Sequence, residues 1–307
     1  MAERSAARQQ TLPATSAMLH QVAGSSCLVL DSPHSGVHYP DDFGYSCALD
    51  VLRHAEDTHV EKLYDFAVDL GCAWVEAYFP RSYLDANRNL TEIDTALLDA
   101  PWPHPVETDP AAMSKIRLGK GLIWRCTDDG LPIYARQLTV AEVQARIDTC
   151  WRPYHAAVAA AIQAAHTRHG YSIHLNCHSM PAVASAFSTN FPGLVHADFV
   201  VGDRDGTAAD PRLSLSICAF LRARGYSVDY NHPYKGVEIL RRYGAPAQQR
   251  HSIQLEINRR LYMNEDTLAI TDGFTPLQND LRSLLAMLQA TDPRQLAGSA
   301  GTEVKPY

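Results

Sequence analysis

Apolar residues in this chain gather into short runs with longer amphipathic stretches between them. Six runs have strand length: CLVLDSP at 27–33, AWVEAYFP at 73–80, YSIHLNC at 171–177, DFVVGD at 198–203, YSVDYN at 226–231 and SIQLEIN at 252–258. Helical spacing appears in Val60, Leu63, Tyr64, Ala67 and Leu70, with Asp57 or Thr58 placed to start that helix. Thr139 and Glu142 have the spacing of a capping box, opening a long Ala-rich helix in which Pro153 predicts a kink. RLSLSICAFLRARG closes on Gly225, and Thr275-Pro276 starts a last helix through Leu284, Leu285 and Leu288. Strands alternating with helices predict an α/β fold with a mainly parallel sheet covered on both faces. Residues 1–20 and 292–307 read as loose ends. The stretch 21–291 contains no linker or repeat and reads as one domain.

Composition changes this picture mainly by exclusion. The net charge of −7 argues against a sequence-independent grip on nucleic acid or on an anionic membrane. The seven cysteines are scattered and form no C-x-x-C, which argues against a disulfide framework or zinc ribbon and for a reducing cytoplasm. The polar N-terminus lacks the apolar core of a signal peptide, and no apolar run is long enough for a bilayer. A soluble cytoplasmic protein is expected, of unspecified oligomeric state.

In parallel sheets ligands bind beyond the carboxyl ends of the strands, which makes the strand ends the place to look for chemistry. The first strand runs into DSPHSG and presents His34 in a turn; the run at 171–177 stops on His178. Glu56, Asp57 and His59 stand together at a helix start. Two imidazoles and a carboxylate form a ligand set for catalytic zinc, with a further position for water. Glu256 lies in an apolar strand, where an unpaired carboxylate is costly and where a general base beside a metal-bound water would belong. PRSYLDANRN clusters Arg81, Asp85, Asn87 and Arg88, and arginine suits a substrate carboxylate. Each feature also has a plainer reading. Asp57 would serve as a helix N-cap, Glu256 would pair with Arg259 or Arg260, and Arg81 and Arg88 would pair with Asp85. GDRDGTAAD at 202–210 lacks calcium-loop spacing and reads as a turn. Cys177 adjoins His178, but adjacent strand residues face opposite ways, which disfavours a Cys–His dyad.

Seven stretches, SPHSGVHYP, DTHVEKLYDFAVDLG, PRSYLDANRN, CHSMP, DFVVGDRDGT, NHPYKG and HSIQLEINRRLYM, occur in this order from about Cys27 to Met263. Together they resemble the N-formylglutamate amidohydrolases, or N-formylglutamate deformylases. The resemblance implies a fold like that of zinc carboxypeptidases and aspartoacylase, a mixed sheet between helices with the metal at the strand ends. It implies one zinc ion held by His34, Asp57 and His178, with Glu256 as the catalytic glutamate and Asn87 and Arg88 on the substrate's α-carboxylate. Zinc peptidases place their first two ligands in H-x-x-E, whereas His34 and Asp57 are 23 positions apart (57 − 34), so Glu56 stays open as the carboxylate ligand. Val237 stands where the family pattern has a second glycine, in the substrate loop. The implied reaction is hydrolysis of the formamide of an N-formyl amino acid to formate and the free amine. Arg81 would assist Arg88, and Lys235 or Arg125 would meet the second carboxylate of N-formylglutamate. A deacylase or carboxypeptidase on the same fold, a cysteine hydrolase using Cys177 or Cys126, and a binding module for an acidic metabolite are the competing readings.

Overall fold

Seven strands form one mixed sheet in a computed structural model that describes residues 18–187 and 191–298. The strands are β1 (Leu19–Val22), β2 (Leu28–Ser32), β3 (Ala73–Ala77), β4 (Ser172–Met180), β5 (Phe199–Gly202), β6 (Val228–Tyr230) and β7 (Arg250–Asn258). Their spatial order is β1-β3-β2-β4-β7-β5-β6. The four neighbours β3, β2, β4 and β7 run parallel, as do β5 and β6. β1 is antiparallel to β3, and β5 is antiparallel to β7, which makes the sheet mixed as expected. All six apolar runs contain a strand. β4 and β7 are buried almost end to end because both of their faces are covered. β4 continues two residues beyond His178, to Met180.

Two stretches read as loose ends carry structure where they are described. Leu19 and His20 belong to β1, an edge strand fixed by its pairing with Ala77 and Glu76, not by a pattern of its own. Pro293–Gly298 forms a 3-10 helix. Residues 1–17 and 299–307 of those ends lie outside the described residues.

Each sheet face has its own core. On one, Ile173, Leu175 and Cys177 of β4 pack with Leu213 and Ile217 and with Leu277, Leu281, Leu284, Leu285 and Leu288 of the helix Phe274–Gln289. Burying each of those leucines stabilises the fold by about 1.5–3 kcal/mol. The other face lies under Val143, Ile147, Trp151, Tyr154, Val158 and Ile162, all from one helical run. That run opens with the expected capping box at Thr139 and Glu142. Pro153, which has no N–H to give, is met by a π turn at Ile147–Trp151 and not by a break. The Arg152 N–H reaches five residues back to the Ile147 carbonyl, and the helix continues through Arg152–His169.

The helical run holds the loop after β3 by its backbone. Arg146 donates to the Tyr83 carbonyl at 3.2 Å, Trp151 Nε1 to the Arg88 carbonyl at 3.0 Å, and His155 Nε2 to the Ala86 carbonyl at 2.8 Å. The helix expected from Val60 to Leu70 is divided: Val60–Leu63 is α-helical and Asp65–Leu70 is 3-10, closed by Gly71. The 202–210 segment is a turn, as read. Asp203 accepts the Gly206 N–H at 2.9 Å, and Asp210 caps the helix Pro211–Arg222 through the Arg212 N–H.

Burial outweighs the hydrogen bond to Ala86 and pushes the His155 ring down to about 4. The unfolded chain, titrating near 6.5, therefore takes up the proton first. Stability from this ring is complete above that value and is lost as the pH falls toward 4, by up to roughly 3 kcal/mol. His155→Gln should show a shallower fall in urea midpoint between pH 7 and pH 4 than the parent chain, about half as steep or less if this ring dominates. An unchanged slope would remove His155 from that role.

Candidate active site

Three buried groups from three separate segments meet near the carboxyl ends of β2 and β4. His34 follows β2 by two residues. Gly36 lets the turn lie against the chain leaving β3, because a Cβ there would stand 2.3 Å from the Phe79 carbonyl oxygen. The Asp57 N–H donates to the His34 carbonyl at 3.0 Å, tying the second segment to the first. His178 projects from β4. Its Nδ1 lies 2.9 Å from Asp57 Oδ2, and His34 Nδ1 lies 3.5 Å from the same oxygen. The three ligand atoms fall within 4.8 Å of one another, a grouping able to hold a metal ion.

The donor chemistry fits a cation. Asp85 Oδ1 is 2.7 Å from His34 Nε2, and a carboxylate only accepts, so the ring proton is on Nε2. His34 Nδ1 then carries a lone pair and is buried without a hydrogen-bond partner. An imidazole held by a carboxylate through its far nitrogen is the usual outer support of a metal-bound histidine. Burial opposes the charge on Asp57, but contacts with His178 and His34 and the Arg81 charge hold its carboxyl well below the usual range. Its other oxygen, Oδ1, faces Arg259 at 3.3 Å and Arg81 at 3.6 Å.

Of the two candidate carboxylates, the path of the loop turns Asp57 toward the imidazoles. Glu56 turns the other way, accepting from the Tyr39 hydroxyl at 2.8 Å. The N-cap reading of Asp57 does not hold, since its carboxylate caps no helix and Val60 N–H bonds its backbone carbonyl instead. Glu256 sits directly opposite His178 on β7 and accepts from Gln254 Nε2 at 2.9 Å. Neither arginine offered as its partner takes that role: Arg259 holds Asp57 and the Glu56 carbonyl, and Arg260 pairs with Asp198. Burial, then repulsion by Asp57, pushes the Glu256 carboxyl well above the usual range against the pull of Arg81 and Arg259.

Arg81 and Arg88 flank this cluster. They approach Asp85 at 3.2 and 3.9 Å, and Arg88 also meets Glu92 at 3.3 Å. The Nε of each is nonetheless buried without an acceptor. Asn87 accepts the Ile239 N–H at 3.0 Å, which turns its NH₂ toward His178 Nε2 at 3.4 Å. The two other cations expected here pair at the surface: Lys235, 55% exposed, with Asp205 at 2.7 Å, and Arg125 with Asp94 at 2.6 Å. Lys115 was not anticipated. Burial, then the charges of Arg88, Lys120 and Arg81, brings its amine down to about 8. Asp85, read as an arginine partner, also anchors His34, and Arg259 clamps the Asp57 loop; their side-chain directions depend on contacts distant in sequence. Cys177 is fully buried on the opposite sheet face, and burial pushes its thiol up, as the strand alternation anticipates. All seven cysteines are free. Among the described residues no helix is long and apolar enough to cross a membrane.

If Asp57 binds the metal, Asp57→Asn should weaken zinc affinity at least about tenfold in chelator competition, while Glu56→Gln should change it by about threefold at most. The reverse ranking would return the ligand to Glu56.

Known proteins share this architecture and sequence. The solved structure of an N-formylglutamate amidohydrolase from Ralstonia eutropha JMP134 is 44% identical, with a TM-score of 0.84 over 91% of this chain and 99% of that one. N-formylglutamate deformylases from Pseudomonas putida and Pseudomonas aeruginosa are 29% and 30% identical, over 86% and 78% of this chain and 92% and 82% of their own lengths. The sequence profile of N-formylglutamate amidohydrolase matches residues 26–263. The chain belongs to the N-formylglutamate amidohydrolase family.

Proposed function

We propose that this protein hydrolyses the formamide bond of N-formyl-L-glutamate, giving formate and glutamate, with one zinc ion held by His34, Asp57 and His178. The observation that carries the reading is the convergence of two imidazole Nδ1 atoms and a carboxylate oxygen beside Glu256, in a chain of this family. Bound zinc would supply a Lewis acid for the formyl oxygen and lower the pKa of a water. Glu256 takes a proton from the attacking water and returns it to the amide nitrogen as the C–N bond breaks. Its apolar setting and the Asp57 charge favour proton uptake, and Gln254 steadies one of its oxygens. Arg88, Asn87 and Arg81 hold the α-carboxylate; the buried Nε atoms of both arginines, neither with a hydrogen-bond acceptor, support this assignment. A second carboxylate needs a further cation. Lys115, set among like charges, has more to gain from an anion than Lys235 or Arg125, each already paired.

Turnover of N-formyl-L-glutamate should be abolished by chelation and restored by zinc. Glu256→Gln should lose about 10²–10⁴ in kcat while retaining the metal. Near-parental turnover in that variant, or activity untouched after complete metal removal, would sink the mechanism.

The cationic side is tested by substrate choice. Arg88→Ala should raise KM about tenfold or more for every N-formyl amino acid tried. Lys115→Ala should raise it similarly for N-formylglutamate but leave N-formylalanine within about twofold. Equal effects of Lys115→Ala on both substrates would remove Lys115 from the side-chain pocket.

A further inference from the structure

On one face of β4 the side chains of His174, Asn176 and His178 succeed one another at alternate positions, and Asp31 of β2 stands directly opposite Asn176. Asp31 is fully buried. Its Oδ1 accepts from Asn176 Nδ2 and from His174 Nε2, each at 2.9 Å, and its Oδ2 accepts from the Tyr154 hydroxyl at 2.7 Å. His174 is held in turn by Ser252, whose hydroxyl lies 2.8 Å from Nδ1. Burial opposes the charge on Asp31, but His174, Tyr154 and Asn176 together hold its carboxyl below the usual range.

This network determines where a distant proton sits. A carboxylate only accepts, so the atom of Asn176 that faces Asp31 is its NH₂. The amide oxygen therefore faces His178 Nε2, 2.7 Å away, and that contact requires an N–H on Nε2. With Nε2 committed to the amide, Nδ1, 2.9 Å from Asp57 Oδ2, is the nitrogen that can exchange its hydrogen bond to the carboxylate for a bond to a cation. Asn87 Nδ2 also faces Nε2 and as a donor would favour a lone pair there, but at 3.4 Å it is the weaker contact beside the 2.7 Å bond to the Asn176 oxygen. Were Asn176 to turn over, its NH₂ would favour a lone pair on Nε2 and move the proton to Nδ1, where a cation would have to bind.

We infer that Asp31 and Asn176 are positioning residues for the metal site: the carboxylate sets the amide, and the amide sets which ring nitrogen His178 offers to a divalent cation. The inference rests on the His34–Asp57–His178 metal reading above.

The test is zinc affinity of the full-length apoprotein, measured by chelator competition. Asp31→Asn is isosteric and removes the acceptor-only constraint; Asn176→Leu removes the amide. Both should weaken zinc binding by about ten- to a hundredfold with native circular dichroism. Cys177→Ala, which alters the neighbouring position in the opposite core, should lower Tm but leave zinc affinity within about twofold. A folded Asp31→Asn protein with parental affinity would overturn the inference. A second measurement needs no variant: in cadmium-loaded protein labelled at its histidine ring nitrogens, the metal should couple to Nδ1 of His178, and its Nε2 proton should exchange slowly. Coupling to Nε2 would overturn the inference outright. A parent chain that binds zinc but leaves N-formylglutamate intact would sink the proposed activity alone, and one that binds no zinc would sink both.

Discussion

Asp57 carries its charge where water does not reach, and much of the surrounding architecture answers that fact. Moving a carboxylate out of water costs several kcal/mol even after relaxation, and the cost is offset only by close partners. One oxygen faces two imidazoles and the other faces two guanidinium groups. The four partners arrive from four places: the turn after β2, β4 itself, the loop after β3 and the turn after β7. Arg259 also ties the carbonyls of His54 and Glu56, which fixes the loop that delivers the carboxylate. Electrostatic compensation and site assembly are thus one arrangement, and losing any member exposes the rest to an uncompensated charge.

The same crowding brings several cations together in a molecule whose overall charge is negative. Net charge is −7, yet Arg81, Arg88, Lys115 and Lys120 act on one another beside the cluster. Their mutual repulsion is only partly relieved by Asp85, Glu92 and Asp128. Global charge is a poor guide to local charge in this chain, since fields among buried groups are set by neighbours a few ångströms away.

The sheet was readable in the sequence because strands buried on both faces appear as apolar runs, as β2, β4, β5 and β7 do. The runs at β3 and the edge strand β6 were apolar enough to be seen as well. The edge strand β1 was not, because its place comes from pairing with β3. Capping at Thr139 was local and legible; the π turn before Pro153 was not, because the local rule predicts only that a hydrogen bond must be lost. Among site residues, His34, His178 and Glu256 stood out as polar groups at or within buried strands. The choice between Glu56 and Asp57 was closed to inspection, since adjacent loop residues point by tertiary contacts such as Tyr39 with Glu56. Lys235 and Arg125 attracted notice by type and motif, while their partners Asp205 and Asp94 lie 30 and 31 positions earlier in the chain. Asn176 passed unnoticed within an apolar run, although its alternation with His174 and His178 was there to be seen.

That alternation makes β4 an indivisible unit of heredity. Its polar face and its apolar face interleave residue by residue, and its pairing with β7 continues through nine positions. Inserting or deleting a single residue upstream, if the strand kept its pairing, would turn every following side chain over at once. His178 would enter the leucine-rich core, and Cys177 would arrive beside His34 and Asp57. β4 can therefore change only by substitution, or by insertions that preserve its parity.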